Sequence, residues 1–383
     1  MKPDANNSGT LIADDTLSAD QAYRHITQGG VILWQGDFHN GKQLLQALAR
    51  RIDRPKGPKS ARPEHTSEPQ TQEQRRAAFN RHRQRQAQRA ALLNRLLVEL
   101  TPSGQVPLRR APDTSEAIAA AMPAHDALHK LTEPNSDRKT LPLRAVLGML
   151  GAWEWQRKGV SIKGLTEPIH VRWGVFSPLR GEYLDLLWQA PVPKNARTAC
   201  DIGTGSGILA IILAHRGLQH IVASDINPQA LLCAQENIRL HGCAAQVELT
   251  QDNLFPAGRF DLIVCNPPWL PVRPTSSVEQ ALYDPDHSML QGVLQGAIAH
   301  MNPEGQLWLI MSDLAEHLGL RTPAYLEDLI HKHGLQVVGR HATQPAHAKA
   351  QASNDPLHFA RKAETTTLWR LKAAAHPQSD TLN

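Results

Sequence analysis

Three alternating glycines, Gly203, Gly205 and Gly207, directly follow a short β-prone run that ends at Ile202. The apolar stretch 208–214 comes next and is typical of a helix, so the order is strand, glycine turn, helix. That order is characteristic of doubly wound α/β folds, in which a ligand binds at the carboxyl ends of the strands. Glycine is needed because a Cβ would block the approach of a ligand to the backbone. The sequence therefore predicts an α/β sheet with a nucleotide-like ligand at this turn.

Two further β-prone runs end in acidic residues, Asp225 and Asp252. An acid at the first of these positions can accept hydrogen bonds from both hydroxyls of a ribose. An Asp or Asn at such a turn is also a common helix N-cap. Asn227 is the better candidate for that cap, which leaves the Asp225 carboxylate free for a ligand.

A stiff polar turn, Asn266, Pro267, Pro268 and Trp269, follows a fourth β-prone run, 260–265. An exocyclic amine or an amide nitrogen is a poor nucleophile because its lone pair is delocalised. The side-chain carbonyl of Asn266 and the main-chain carbonyl of Pro267 can accept its two hydrogens and so turn the lone pair toward a methyl donor. Proline presets the direction of these carbonyls, and Trp269 offers a ring for stacking, worth roughly 1–3 kcal/mol for a base. A stiff loop around a buried tryptophan is the alternative interpretation.

The glycine loop followed by this turn resembles the class I S-adenosylmethionine-dependent methyltransferases, in particular those that methylate amino nitrogens. The resemblance covers residues 170–372 and implies a Rossmann-like seven-stranded α/β sheet, with the last strand antiparallel between the fifth and the sixth. It implies S-adenosyl-L-methionine as cofactor. The implied cofactor-binding residues are Asp201, Gly203, Gly205, Gly207, Asp225, Asp252 and Asn253. The implied catalytic residues are Asn266, Pro267 and Trp269, with Phe176 and Pro268 on the substrate side.

The methyl acceptor is less clearly indicated. The stretch 174–178 is similar to ribosomal RNA guanine-N2 methyltransferases of the "methyltransferase small" family, whereas 225–228 and 252–256 are similar to HemK-type glutamine-N5 methyltransferases. Trp269 departs from both, since HemK-type enzymes usually have Tyr there and base methylases Phe or Tyr. We expect an exocyclic base amine of RNA, ribosomal RNA for preference, and the alternative is a glutamine side chain of a translation protein. Two other function classes are less favoured, a nicotinamide-dependent oxidoreductase and a non-catalytic RNA-binding module. The oxidoreductase is less favoured because the loop has the spacing G-x-G-x-G, whereas the dinucleotide-binding fingerprint is G-x-G-x-x-G.

Length and composition suit a two-domain cytoplasmic enzyme, with 383 residues of which 41% are hydrophobic. We expect an additional, mainly helical domain at 16–165, the methyltransferase domain at 166–372, and disordered tails at 1–15 and 373–383. The four cysteines form no C-x-x-C pair and are expected to be buried and reduced. Histidines are scattered without a metal-binding pattern, so no metal is expected. No signal peptide is expected, and no apolar run approaches the ~20 residues of a membrane span.

Positive charge is concentrated in residues 51–89, which hold eleven Lys or Arg against four acids, a larger surplus than the net +5 of the whole chain. The sequence predicts a linker over 55–69 and a helix over 72–100 whose first half is basic. Two interpretations stay open, a solvated or disordered face and a surface that binds RNA or a ribosome-associated partner. Two more helices are predicted over 115–131 and 143–157, followed by a β-hairpin over 159–172 and, much later, a long loop over 343–362 that holds His347 and His358.

Overall fold

The computed structural model describes residues 9–54, 71–122, 139–178, 181–274, 283–345 and 355–375. The chain divides into two compact units. The first comprises the described residues of Met1–Thr66 and Asn80–Arg157, and the second those of Ser67–Phe79 and Lys158–Asn383. No helix in these ranges is long and apolar enough to cross a membrane.

The first unit combines helices with a four-stranded sheet of order β1-β2-β3-β4, in which β1, β2 and β3 are parallel and β4 is antiparallel to β3. Its strands are β1 Thr10–Ala13, β2 Val31–Trp34, β3 Leu96–Leu100 and β4 Lys139–Pro142. Its helices are α1 Ala19–Thr27, α2 Phe38–Ile52, α4 Ser115–Ala121 and α5 Leu143–Lys158. The long helix α3, Gln72–Leu93, begins in the second unit and continues into the first.

Two predictions for this region are wrong. The predicted tail 1–15 contains strand β1, which pairs in register with β2. The predicted helix 72–100 ends at Leu93, and the chain continues as strand β3. Burial in β3 alternates strictly, which is the period of a strand with one face on the core. A short apolar run does not by itself distinguish a strand from a helix, and only pairing with β2 and β4 decides it.

The second unit contains the seven-stranded sheet, in the order β10-β11-β9-β8-β5-β6-β7. Its strands are β5 Thr198–Ile202, β6 His220–Ser224, β7 Val247–Thr250, β8 Phe260–Cys265, β9 Met301–Ser312, β10 Leu335–Thr343 and β11 Thr366–Ala373. Its helices are α6 Glu182–Gln189, α7 Ile208–His215, α8 Pro228–Leu240, α9 Ser288–His300, α10 Leu314–His317, α11 Tyr325–Lys332 and α12 His358–Ala363. Strand β11 runs antiparallel between β9 and β10, so the predicted sheet is confirmed.

Apolar cores cover both faces of this sheet. Helix α7 is buried from Ile208 through Ala214, which explains why its sequence is apolar all round rather than on one stripe. All four cysteines are buried and free, as predicted. Strand order reverses between β5 and β8, since the chain moves from β5 outward to β6 and β7 and then returns beside β5 as β8. Such a switch point opens a crevice at the carboxyl ends of the strands.

The boundary between the units falls at Arg157, not at 165 as predicted, because Ile162 and Ile169 pack into the core of the second unit. The predicted β-hairpin 159–172 is a single bridge between Val160 and Ile169. The predicted helix 115–131 ends at Ala121 within the described residues. The predicted linker 55–69, His347 and residues 376–383 of the predicted tail lie outside the described residues, whereas His358 begins α12.

Candidate functional site

A cavity of about 830 Å³ opens at the carboxyl ends of β5 to β8. Ten of the twelve residues predicted from the sequence line it: Phe176, Gly203, Gly205, Asp225, Asp252, Asn253, Asn266, Pro267, Pro268 and Trp269. Asp201 and Gly207 are not part of its wall. The fold therefore brings five separate stretches of sequence to one cavity, four of them at strand ends and the fifth at Phe176.

The glycine loop has a left-handed backbone at Gly203, Gly205 and Gly207, with φ angles of 71°, 55° and 81°. A Cβ at Gly205 would have no atom closer than 3.9 Å, so this part of the loop faces open space. A Cβ at Gly207 would lie 3.1 Å from Ala234 of α8. Gly205 thus allows a ligand to approach the backbone, whereas Gly207 allows α7 to pack closely on α8.

Asp201 lies beneath the loop and is fully buried. Its Oδ2 accepts hydrogen bonds from the Thr204 hydroxyl at 2.7 Å and from the Ala210 amide at 3.2 Å. Burial raises the pKa of this carboxyl to about 7, against the lowering effect of those two donors. The arrangement ties β5, the loop and α7 together, so Asp201 supports the loop from below and does not face the cavity.

Asp225 faces the cavity from the end of β6 and holds the loop in place. Its Oδ2 accepts from the Gly205 amide at 3.0 Å and its Oδ1 from the Asn227 amide at 2.9 Å. Burial raises the pKa of this carboxyl. Asn227 caps α8 by accepting from the amide of Gln229 at 3.0 Å, as predicted. The carboxylate of Asp225 keeps further acceptor capacity, since the two oxygens of a carboxylate can together accept about four hydrogen bonds.

Asp252 and Asn253 reach the cavity because the chain turns sharply after β7. Leu254 has a positive φ of 78°, and its carbonyl accepts a hydrogen bond from the Ser224 hydroxyl at 2.7 Å. That bond joins the turn to the end of β6. No motif in the sequence indicated the left-handed backbone at Leu254, a residue type that rarely adopts it.

The Asn-Pro-Pro-Trp turn follows β8 and forms a further part of the cavity wall. The indole Nε1–H of Trp269 donates to Oδ1 of Asn266 at 3.0 Å and to the carbonyl of Ile310 in β9 at 3.3 Å. The indole therefore fixes the orientation of the Asn266 amide, which the sequence did not predict. The partner on β9 comes from a distant part of the chain, so no local pattern could have shown it.

Further wall residues were not among those predicted from the sequence. They are Val175, Tyr183, Thr204, Ile226, Ser288, Met289, Leu314 and Arg361. The Arg361 guanidinium is held by Asp355 at 3.1 Å. Ile226 follows Asp225 and leaves 66% of its surface exposed beside the cavity. An apolar side chain so exposed at a cavity wall offers surface that a bound ring can cover.

The second unit is similar in sequence to known proteins. Residues 184–270 match the family model described as "Ribosomal protein L11 methyltransferase (PrmA)". The second unit is related to class I S-adenosylmethionine-dependent methyltransferases. The matched residues run from α6 to the Asn-Pro-Pro-Trp turn and so contain both motifs that carried the resemblance.

Several curated relatives are named as methyltransferases of translation proteins. A release factor glutamine methyltransferase of Cereibacter sphaeroides is 32% identical over 165 residues, covering 37% of this chain and 59% of that protein. A ribosomal protein L11 methyltransferase of Vibrio vulnificus is 34% identical over 113 residues, covering 29% of this chain and 38% of that protein. A release factor glutamine methyltransferase of Moorella thermoacetica is 46% identical over 83 residues, covering 21% of this chain and 29% of that protein. The chain therefore matches less than two thirds of the length of each.

Among solved structures, a ribosomal protein L11 methylase from Lactobacillus delbrueckii subsp. bulgaricus aligns with a TM-score of 0.38 and 20% identity. The alignment covers 52% of this chain and 82% of that one. The fold assignment rests on the strand order and register of this chain itself.

Proposed function

We propose that the protein is an S-adenosylmethionine-dependent N-methyltransferase whose acceptor is the side-chain amide of a glutamine in a protein of the translation apparatus. The observation that carries this proposal is the position of Asn266. Its Oδ1 is oriented by the Trp269 indole in the wall of the cavity that the glycine loop also lines. Donor and acceptor sites therefore share one cavity, as a direct methyl transfer requires.

The residues present fit an adenosine cofactor. Gly205 leaves open space beside the loop, and the carboxylate of Asp225 keeps acceptor capacity for ribose hydroxyls. Ile226 exposes apolar surface next to them for an adenine, and we assign Asp252, which also lines the cavity, to its amino group. When bound, the cofactor supplies an electrophilic methyl group.

The turn at 266–269 orients a planar nitrogen. One lone pair of Asn266 Oδ1 is occupied by the Trp269 indole, and the other is available to an N–H of the acceptor. The Pro267 carbonyl accepts the second N–H, which turns the nitrogen lone pair out of conjugation. Such positioning of two bound reactants can contribute roughly 7–11 kcal/mol to a rate. A primary amide, with two hydrogens on one nitrogen, suits this pair of acceptors.

A protein acceptor is favoured over the RNA amine that we expected first from the sequence. Three relatives are named for glutamine methylation of a release factor and one more for N5-glutamine methylation of a protein. The matching family model is likewise named for a ribosomal protein. The Asn-Pro-Pro turn suits a base amine and an amide equally well, so the support for the amide comes from the names of these relatives.

The test incubates the full-length protein and isotopically labelled adenosylmethionine with a release factor, ribosomal protein L11 or protein-free ribosomal RNA. Mass spectrometry then locates the methyl group. We expect it on the side-chain nitrogen of a glutamine in one of the two proteins. Asn266→Ala should abolish most of the transfer while calorimetry still shows donor binding, and Asn94→Ala, an exposed asparagine of the first unit, serves as control. Methylation of the RNA alone, or of a lysine amine, would show that the proposed acceptor is wrong.

A further inference from the structure

We propose that one face of helix α3 binds the phosphodiester backbone of RNA. The face consists of Arg81, Arg85 and Arg89, and we call it the arginine face. Helix α3 contains six arginines, no lysine and a single acid, Glu73 in its first turn. The remaining arginines are Arg75, Arg76 and Arg83. This concentration of one charge sign on one helix is the electrostatic footprint of a polyanion site.

The arginine face is a continuous strip. Its residues are four apart, so each lies about 6 Å further along the axis and on the same side of the helix. Arg81 and Arg85 are exposed, and within the described residues neither forms an ion pair or a side-chain hydrogen bond. Arg89 pairs with Asp53 at 2.9 Å, and that aspartate is itself half exposed. Positive charge at the centre of the strip is therefore left without a counter-charge from the described part of the chain.

Leaving this charge uncompensated is unfavourable for the helix itself. Like charges four residues apart destabilise a helix by about 0.2–0.5 kcal/mol for each pair, and the strip contains two such pairs. The strip would lose this repulsion if it bound an anionic partner. The cost is small for each pair, but no acid follows Glu73 anywhere in the helix to offset it.

The chemistry of the strip favours RNA over a membrane or a protein. The stretch 80–89, exposed or partly exposed throughout, consists of Arg, Gln, Asn, His and one Ala, so it has no apolar face to insert into a lipid interface. It also lacks the large apolar residues that form the centre of a protein–protein interface. Arginine binds phosphate through two parallel N–H donors, which lysine cannot do. A row of guanidinium groups with interleaved amides therefore fits a phosphate backbone.

The first turns of α3 are anchored at the cavity. Phe79 is buried and packs with Leu318, Leu357 and Ala360. Leu270 and Leu314, which lie against this cluster, also line the cavity wall. Arg81 follows two residues later and points to roughly the opposite side of the helix, since each residue turns by about 100°.

The test measures RNA binding by the full-length protein without donor or acceptor, so its result is independent of the proposed methyl transfer. The probe is a fluorescently labelled single-stranded RNA, titrated over a series of salt concentrations. Each phosphate contact contributes about −0.7 to the slope of log affinity against log salt. Arg81→Gln together with Arg85→Gln should make the slope shallower by about 1.4 units, by the same rule. The matched control is Lys42→Gln with Arg50→Gln, which removes two exposed charges from helix α2 of the same unit.

Two further probes examine other anions, vesicles containing phosphatidylglycerol and a polyglutamate peptide. We expect tighter binding to RNA than to either, with the loss in the double variant confined to RNA. An unchanged salt slope in the double variant, or an equal change in the control variant, would overturn the proposal. Equal or tighter binding to vesicles or polyglutamate would overturn it as well. Circular dichroism of each variant confirms that α3 remains folded.

Discussion

At the scale of single residues, the tryptophan of the Asn-Pro-Pro-Trp turn has a polar function that stacking alone would not require. A phenylalanine or tyrosine can present a ring at this position, but neither can donate from the place of the indole nitrogen. The indole N–H of Trp269 donates both to Asn266 and to the carbonyl of Ile310 in strand β9. The side-chain amide of Asn266, which we propose binds the methyl acceptor, is therefore linked to β9 through the indole. A tryptophan at position 269, in place of the Tyr or Phe usual in related enzymes, therefore helps to orient the Asn266 side chain.

Replacement of Trp269 by Phe should separate the two functions of the side chain. The ring remains, but the hydrogen bond to Asn266 is lost, and a neutral hydrogen bond contributes about 0.5–1.5 kcal/mol. We expect kcat to fall roughly three- to tenfold on that basis, with KM for donor and acceptor close to the wild-type values. Steady-state kinetics on the acceptor found in the methylation assay measures this.

The control for that substitution is Trp188→Phe, which removes an indole N–H that has no hydrogen-bond partner among the described residues. Trp188 does not line the cavity. Its replacement should leave kcat nearly unchanged. If Trp269→Phe retains the full kcat, the indole does not position Asn266, and stacking is its whole contribution.

At the scale of secondary-structure elements, the third glycine of the loop serves packing more than ligand binding. Gly207 is the N-cap of α7 and lies against Ala234 in the middle of α8. The left-handed φ of 81° and this close contact both require glycine. The sequence pattern assigned all three glycines to the cofactor, because a pattern of spacing does not show which side of a turn faces another helix.

Gly207→Ala should destabilise the second unit by about 2–5 kcal/mol. The left-handed backbone contributes about 1–2 kcal/mol and overpacking against α8 about 1–3 kcal/mol. Gly217→Ala is the matched control, since Gly217 has a φ of 94° and no atom within 4 Å of its added Cβ. Gly217→Ala should lower the free energy of unfolding only by the contribution of the left-handed backbone, about 1–2 kcal/mol. Urea denaturation of both variants gives the difference, and equal losses would show that contact with Ala234 is unimportant.

At the scale of the whole molecule, the two units are interleaved in sequence. The described residues of 67–79 belong with the second unit, although the described residues of 80–157, which belong to the first unit, separate them from the rest of it. Phe79 supplies the buried aromatic of the small cluster formed by α10, α12 and their flanking residues. The predicted boundary at 165 placed this residue in the wrong unit, since only a distant contact assigns it.

Phe79→Ala should therefore loosen the second unit, not the first. Truncation of a buried phenylalanine costs about 3–5 kcal/mol. Amide hydrogen exchange in α10 and α12 should accelerate, roughly a hundredfold for 3 kcal/mol, while the sheet β1 to β4 stays protected. Phe38→Ala, a buried phenylalanine of the first unit, should give the reverse pattern. Faster exchange in β1 to β4 on loss of Phe79 would contradict the division.

The strand order of the sheet was expected from the resemblance to class I methyltransferases. The sequence by itself determined the buried strands of the second unit, the glycine loop and ten of the residues that line the cavity. These follow from local signals, since buried parallel strands, glycine turns and acids at strand ends are each encoded within a few residues. Tertiary structure alone decided the rest. The bond from Trp269 to Ile310 and the packing of Phe79 join residues far apart in the chain. The burial of Asp201 beneath the loop depends on how β5, the loop and α7 pack together. The short apolar run of β3 was predicted as part of a helix, and only its pairing with β2 and β4 shows that it is a strand. Contacts of this kind depend on how strands and helices meet in space, which no local pattern specifies.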